Sequence, residues 1–360
     1  MSGMRSQVYF TPCSLSDPLK RRASIIAGLY KAAGFSQVLP SEGLVAVKTH
    51  FGEGACAGFI KPEMIREVVS LVSAQGCDPF VTDTNTLYRR RRHNSVEHLA
   101  LAREHGFTHS ALGCPVLIAD GLRGNNSEEI EIDGVHFKRA PIAGDIARAD
   151  GMVVCSHLTG HMVSGWGATI KNLAMGCAPR RGKLMQHASM KPFIDAKVCI
   201  ACGRCAEHCP EDAITIPDRA VIDESKCIGC GECITACPTF AVKFSWKTDS
   251  ALMQEKMAEF ALAAVKAVRG RAVYFNFLLY VTANCDCDDT AQKPVSPDIG
   301  IMASTDPVAL DAASIALFSQ KIGTELRELS HPRLYGLAQL AHAEKIGLGS
   351  TQYEIVEVRP

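Results

Sequence analysis

The chain has 360 residues, enough for two ordinary domains or for one large domain carrying an insertion. Hydrophobic residues make up 47% and charged residues 21%, the balance of a globular protein with a sizeable core. Lys+Arg and Asp+Glu both number 38, so no global field favours nucleic acid or an anionic membrane.

The opening segment "MSGMRSQVYFTPCSLSD" lacks the basic region and apolar run of a secretory signal. No apolar stretch approaches the ~18 residues that a membrane span needs. Half of the 16 cysteines sit in two tight runs rather than spread as a disulfide framework. Such usage belongs in a reducing compartment, so the expected location is the cytoplasm.

Further along, "GLVAVKTH" runs from Gly43 to His50, "PFVTD" ends at Asp83 and "GMVVCSH" ends at His157. Short valine-rich runs bounded by glycine or proline read as buried parallel strands. Helical patterns lie between them. "KPEMIREVVSLVSAQG" opens with Pro62 near its first turn and stops at Gly76, and "SVEHLALAREHGF" stops at Gly106. "YRRRRHN", with Arg89 to Arg92, reads as a solvated loop, with an anion site as the alternative. Alternating strands and helices predict an α/β domain with a mainly parallel sheet. In such sheets ligands sit beyond the C-terminal strand ends, where His50, Asp83 and His157 fall.

Residues 153–177, "VVCSHLTGHMVSGWGATIKNLAMGC", carry more. His157 and His161 follow a strand. Gly160, Gly165 and Gly167 make a loop able to approach a ligand closely. "ATIKNLAMG" then predicts a short helix whose backbone N–H groups could receive an anion beside Lys171. The segment matches neither a Walker loop nor a dinucleotide fingerprint.

From 191 to 245 the texture changes. "CIACGRCAEHCP" (199–210) is repeated as "CIGCGECITACP" (227–238), an offset of 28 residues from Cys199 to Cys227. Each run is followed by a β-prone stretch, "AITIPDRAVID" and "FAVKFS". After the duplication come a helix, "SALMQEKMAEFALAAVKAVRG", and an apolar strand, "AVYFNFLLYVTAN". Then "NCDCDD" (284–289) places Cys285 and Cys287 two apart among aspartates. In an extended segment both would point the same way, as a metal site, a redox pair or a polar turn with idle thiols. "DIGIMAS" reads as a strand and "TDPVALDAASIALFSQ" as a helix capped by Asp306 with Pro307 in its first turn. The simplest architecture is an α/β host (1–190 and 246–360) interrupted by a small module (191–245). Of the other thiols, Cys13, Cys56, Cys77, Cys114 and Cys155 read as small buried hydrophobes. Cys177 differs in ending the histidine–glycine segment.

In a CxxCxxCxxxCP run three thiolates wrap one cluster while the fourth cysteine points toward another. Structural zinc favours two separated CxxC pairs instead. The duplicated segment resembles the bacterial two-cluster ferredoxin domain over its whole length. That resemblance implies one [4Fe–4S] cluster on Cys199, Cys202, Cys205 and Cys237, and another on Cys227, Cys230, Cys233 and Cys209. Together with "THFGE", "YRRRRHN", the 157–177 segment and "CDCDD…PDIGIMASTDPVALD", it makes nearly the whole chain resemble the uncharacterised Fe–S centre proteins. In that family a domain of unknown function carries an inserted ferredoxin module. "HMVSGWGATIK", His161 to Lys171, is also similar to a stretch of lactate racemase-type proteins. There the lysine tethers a nickel-pincer nucleotide, which would make Lys171 the tether and His161 the acid/base.

The leading expectation is an iron–sulfur redox protein. Electrons would pass through two clusters to a ligand held among His50, Asp83, His157, His161, Lys171, Cys285 and Cys287. That ligand would be a small molecule, with a further metal or an anionic organic cofactor as candidates. Expected partners are an electron donor or acceptor protein, with neither nucleic acid nor membrane. The alternatives are a carrier or adaptor without chemistry of its own, and a nickel-pincer-type enzyme.

Overall fold

Valine-rich runs that can be buried on both sides become strands of one eight-stranded sheet. Its order is Tyr353–Glu357, Ser6–Pro12, Gly300–Ser304, Ala272–Leu278, Gly151–His157, Gly43–Lys48, Cys77–Asp83 and Val116–Ile118. All neighbouring pairs are parallel except those made by Gly300–Ser304, which runs antiparallel to both its neighbours. The protein is therefore α/β with a mainly parallel sheet, as expected. The computed structural model describes residues 5–187, 192–227, 231–243 and 249–359.

Successive strand residues alternate between two cores. Val45, Val47, Val153, Phe275 and Phe277 pack under Ile25, Leu29, Ile65 and Val68 of the helices Leu19–Ala32 and Pro62–Ala74. Ala46, Met152, Val154 and Tyr274 face Leu173, Phe260 and Leu310 on the opposite side. Those three belong to the helices Thr169–Cys177, Ser250–Ala267 and Pro307–Ile322. Burying each large apolar side chain contributes ~1.5–3 kcal/mol, so this double coverage fixes the register of every central strand.

The local signals act as expected. The helix from Pro62 ends before Gly76, whose φ of +99° turns the chain into the next strand. Asp306 caps its helix by accepting the N–H groups of Val308 and Ala309. The edge strand Tyr353–Glu357, its neighbour Ser6–Pro12, and the hairpin Ser127–Glu131 with Arg139–Ala143 were not anticipated. Among the described residues no helix is long and apolar enough to cross a membrane.

Residues 192–243 lie outside the large sheet. They form two short ladders, Phe193–Ile194 with Val242–Lys243 and Ile214–Thr215 with Val221–Ile222. The sequence duplication persists here. Gly203 and Gly231, at φ +78° and +77°, each open a short helix, Arg204–Glu207 and Glu232–Ala236. The segment's small core also includes Leu87 and Leu184 from the rest of the chain.

Candidate functional site

The parallel strands Gly43–Lys48, Cys77–Asp83, Gly151–His157 and Ala272–Leu278 end on one edge of the sheet, and the chain beyond each forms a wall there. They enclose a cavity of about 480 Å³. His50, Asp83, His157, His161, Lys171, Cys285 and Cys287 all border it. The strand-end rule thus brought together residues spread over most of the sequence. What each can do there depends on its partners.

Asp83 is not a proton acceptor. Its carboxylate lies 3.0 Å from the Lys48 ammonium and 3.5 Å from Arg92, and is fully enclosed. Burial opposes its charge, but Lys48 and then His98 outweigh that and hold its pKa well below the usual range. Lys48 also donates to Asn172 Oδ1 at 2.7 Å, and Arg92 to Glu53 at 3.0 Å. Arg92 is therefore a buried strut, not part of a solvated loop. Arg91 on the same run stays outside, paired with Glu104.

His157 is likewise committed. Nδ1 lies 3.0 Å from both oxygens of Asp286 and Nε2 lies 2.8 Å from the Leu279 carbonyl, so both nitrogens donate. Burial disfavours the imidazolium, yet Asp286 overrides it and raises the pKa. In turn His157 brings Asp286 down to about 2 against the cost of burial. No lone pair or free N–H is left for a metal, for acid–base work or for a ligand, which corrects the expectation that His157 helps to hold the ligand.

His50 and His161 are built differently. His50 Nδ1 accepts the Gly52 N–H at 2.9 Å, and His161 Nδ1 accepts the Ser164 N–H at 3.0 Å. A ring whose Nδ1 accepts carries its proton on Nε2 when neutral. Burial first, then Arg92 for His50 and Lys171 for His161, pushes both pKa values well below the usual histidine value. Two neutral imidazoles therefore each keep an Nε2–H as a donor.

Lys171 completes the set. Among the described residues its ammonium has no hydrogen-bond or ion-pair partner. Burial lowers its pKa to about 8, so it stays mainly charged at neutral pH. Gly167 makes room for it, since a Cβ there would come 2.4 Å from Lys171 Cδ. The other two glycines serve packing. A Cβ on Gly160 would strike the Ala283 carbonyl, and one on Gly165 would meet the backbone at 334–336. The expected glycine loop is a tight hairpin, Thr159–His161 with Gly165–Gly167.

The start of the helix Thr169–Cys177 is also not an anion site. Asp311 already accepts the N–H groups of Thr169 and Ile170 at 2.9 and 2.8 Å. A buried carboxylate fixed in place leaves no room for a second anion. Cys177 at the far end is a core thiol with no part in the cavity.

The "NCDCDD" segment is not extended. The Asp288 N–H donates to the Cys285 carbonyl at 2.9 Å, closing a turn that brings the two sulfurs together as a disulfide. Bonded sulfurs offer no thiolates to a metal, so this state departs from the metal expectation.

Sequence reasoning missed Lys48, Asn172, Lys183 and His187, which stand in or against the cavity. Lys48 had a readable signal, a lone charge closing an apolar strand. Lys183, on the helix Arg180–His187, had none, because its Thr84 and Ala178 partners are set only by folding. Elsewhere, His136, Glu259 and His342 lie close enough to share a cation. Glu259, however, is already satisfied by the N–H groups of Val135, His136 and Phe137 and by His342. That group serves to hold a loop.

In the duplicated segment the cysteines gather in crossed sets. Cys199, Cys202 and Cys205 border one small cavity together with Cys237. Cys227 and Cys233 border a second with Cys209, while Cys230 lies outside the described residues. Backbone N–H groups point at the sulfurs. Ala201 and Ala220 approach Cys199 Sγ at 3.5 Å, Ala213 approaches Cys209 at 3.3 Å and Ala241 approaches Cys237 at 3.2 Å. Such donors suit sulfurs that carry negative charge. Gly231 abuts Leu184, and Arg89 stacks over Phe240 at 4.6 Å, joining this segment to the cavity walls.

Among solved structures the chain is similar to the lactate racemase apoprotein from Thermoanaerobacterium thermosaccharolyticum. The two share 13% identity with a TM-score of 0.43, over 86% of this chain and 56% of that one. A Thermotoga maritima protein is similar at 7% identity and a TM-score of 0.43, over 84% of this chain and 59% of its own. The chain thus spans less than two thirds of either. No curated protein matches it by sequence. The family described as Domain of unknown function (DUF362) matches residues 45–316. Since that stretch takes in well over half of the chain, the protein is a member of the DUF362 family.

Proposed function

We propose that the protein is a redox protein that binds a small anionic ligand in the strand-end cavity and exchanges electrons with it. The observation that carries the ligand reading is the Lys171 ammonium, unpaired among the described residues, in a cavity also lined by His50 and His161, which each keep an Nε2–H. Three donors on one cavity, with the nearby carboxylates already neutralised by Lys48, Arg92 and His157, favour a carboxylate or phosphate over a cation. Cys199, Cys202, Cys205 and Cys237 would hold one [4Fe–4S] cluster, and Cys227, Cys230, Cys233 and Cys209 the other. When bound, the clusters supply single electrons at low potential. His161 is suited to donate a hydrogen bond from Nε2, and Lys171 to hold the ligand's charge. A carrier without its own chemistry would need no such cavity, which weighs against that alternative.

A second reading draws on the same lysine. A buried amine with its pKa lowered to about 8 is a competent nucleophile, as covalent tethering of an organic cofactor would require. The local similarity of His161–Lys171 to lactate racemase-type proteins supports this nickel-pincer alternative.

Anaerobic purification followed by mass spectrometry under native and denaturing conditions separates the two. Noncovalent anion binding should persist in native spectra, vanish on denaturation and weaken at least ~10-fold in Lys171→Ala with iron content unchanged. Retention should also fall as pH rises through about 8, where Lys171 loses its charge. An added mass on Lys171 that survives denaturation would establish the tether. Unchanged ligand binding in Lys171→Ala would remove the anion-site reading.

A further inference from the structure

We propose that Cys285 and Cys287 form a redox couple on the cavity wall, cycling between disulfide and dithiol as the cavity's two-electron store. The two sulfurs are joined and both residues border the ligand space, with Cys285 buried and Cys287 partly exposed. Uptake of two electrons and two protons breaks the S–S bond and leaves two thiols. A dithiol donor attacks the more accessible Cys287 sulfur, and Cys285 leaves as the thiolate. The donor's second thiol then resolves the mixed disulfide, releasing the donor as its own disulfide. Low-potential one-electron donors of the iron–sulfur type achieve the same change in two steps.

The surroundings suit a charged Cys285. The Cys287 N–H stands 3.4 Å from Cys285 Sγ and would stabilise negative charge on it. From the sequence, the aspartates on this turn should repel a thiolate. Folding offsets part of that repulsion. Asp286 is paired with the His157 imidazolium, Asp288 accepts from the Asn284 amide at 2.8 Å and Asp289 accepts the Ala55 N–H at 2.9 Å. Lys171, whose ammonium has no hydrogen-bond or ion-pair partner among the described residues, adds positive charge to the same cavity. A store of this kind would convert one-electron supply into two-electron chemistry on a bound ligand.

Only the source of the electrons rests on the function proposed above, and thiol labelling tests the couple without it. Full-length protein, purified anaerobically, is equilibrated in dithiothreitol redox buffers and alkylated before and after unfolding. The peptide carrying both residues is then weighed. The expected result is a single two-electron transition, with no label in the oxidised form and two labels appearing together in the reduced form. Cys56→Ser, which changes a neighbouring thiol, should leave that transition in place. Cys287→Ser should abolish it and leave a single label on Cys285 throughout. Two labels in protein fully equilibrated with oxidised dithiothreitol would overturn the proposal. So would a pair that stays unlabelled until the chain unfolds. Stoichiometric zinc or nickel, lost in Cys285→Ser with Cys287→Ser while cluster iron is kept, would show a metal site instead. Reduction by dithiothreitol but not by dithionite-reduced clusters would leave the couple standing and remove the electron route.

Discussion

Hydrogen-bonding direction decides what each cavity residue can do. His50 and His161 keep a donor, His157 keeps nothing, and His98 is locked away against Asp83 at 3.6 Å. Burial brings the His98 pKa from its ordinary 6.5 to about 4. The folded protein thus resists a proton that the unfolded chain accepts. The stability this residue contributes is complete above about pH 6.5 and drains away as pH falls toward 4. The loss is on the order of 3 kcal/mol. Thermal unfolding followed from pH 8 to pH 4 should show Tm dropping below pH 6.5, and His98→Gln should flatten part of that drop. An unchanged slope in the variant would mean that the acid sensitivity resides in the other buried histidines. Polar strand-end residues were legible as site residues. Their division into struts and donors was not, since Asp83 and His161 look alike until their partners are known.

At the level of the helix, two caps illustrate what a sequence can and cannot announce. Asp306 sits immediately before Pro307 and caps its own helix, a pattern readable in four residues. Asp311 caps a different helix, 142 residues earlier in the chain, while accepting from the Asn276 amide at 2.8 Å. Burial raises its pKa to about 6, so the carboxylate is held charged at neutral pH by those donors. Asp311→Ala would orphan two buried N–H groups and an amide, at a cost of roughly 2–4 kcal/mol. Urea unfolding should show the midpoint shift, and Lys171, one residue beyond the capped N–H of Ile170, should lose its set position. A shift below ~0.5 kcal/mol would mean that water replaces the carboxylate.

On the scale of the whole molecule, the duplicated segment joins the cavity through Leu87, which borders the ligand space and also belongs to the small cysteine-rich core. If each cluster takes its fourth ligand from the other run, Cys209→Ser should damage the centre held by Cys227, Cys230 and Cys233. The Cys199 centre should be spared. EPR of the reduced variant, with iron and sulfide counts, reads this directly. Loss confined to the Cys199 centre would show the ligation to be uncrossed.

Short valine-rich runs, a proline-led helix from Pro62 and the 28-residue cysteine repeat are local patterns, and the sequence by itself determined the α/β class and the gathering of His50, His161 and Lys171 from them. Parallel strands must present their C-terminal residues on one edge, so those positions converge whatever the strand order. Only the tertiary structure decided which groups remain able to act. The Asp286 that silences His157 lies 129 residues away, the Asp311 that occupies the helix start lies 142 away, and the turn that joins Cys285 to Cys287 replaces an expected extended segment. Each of these depends on a partner brought near by folding, and spacing along the chain carries no information about such partners.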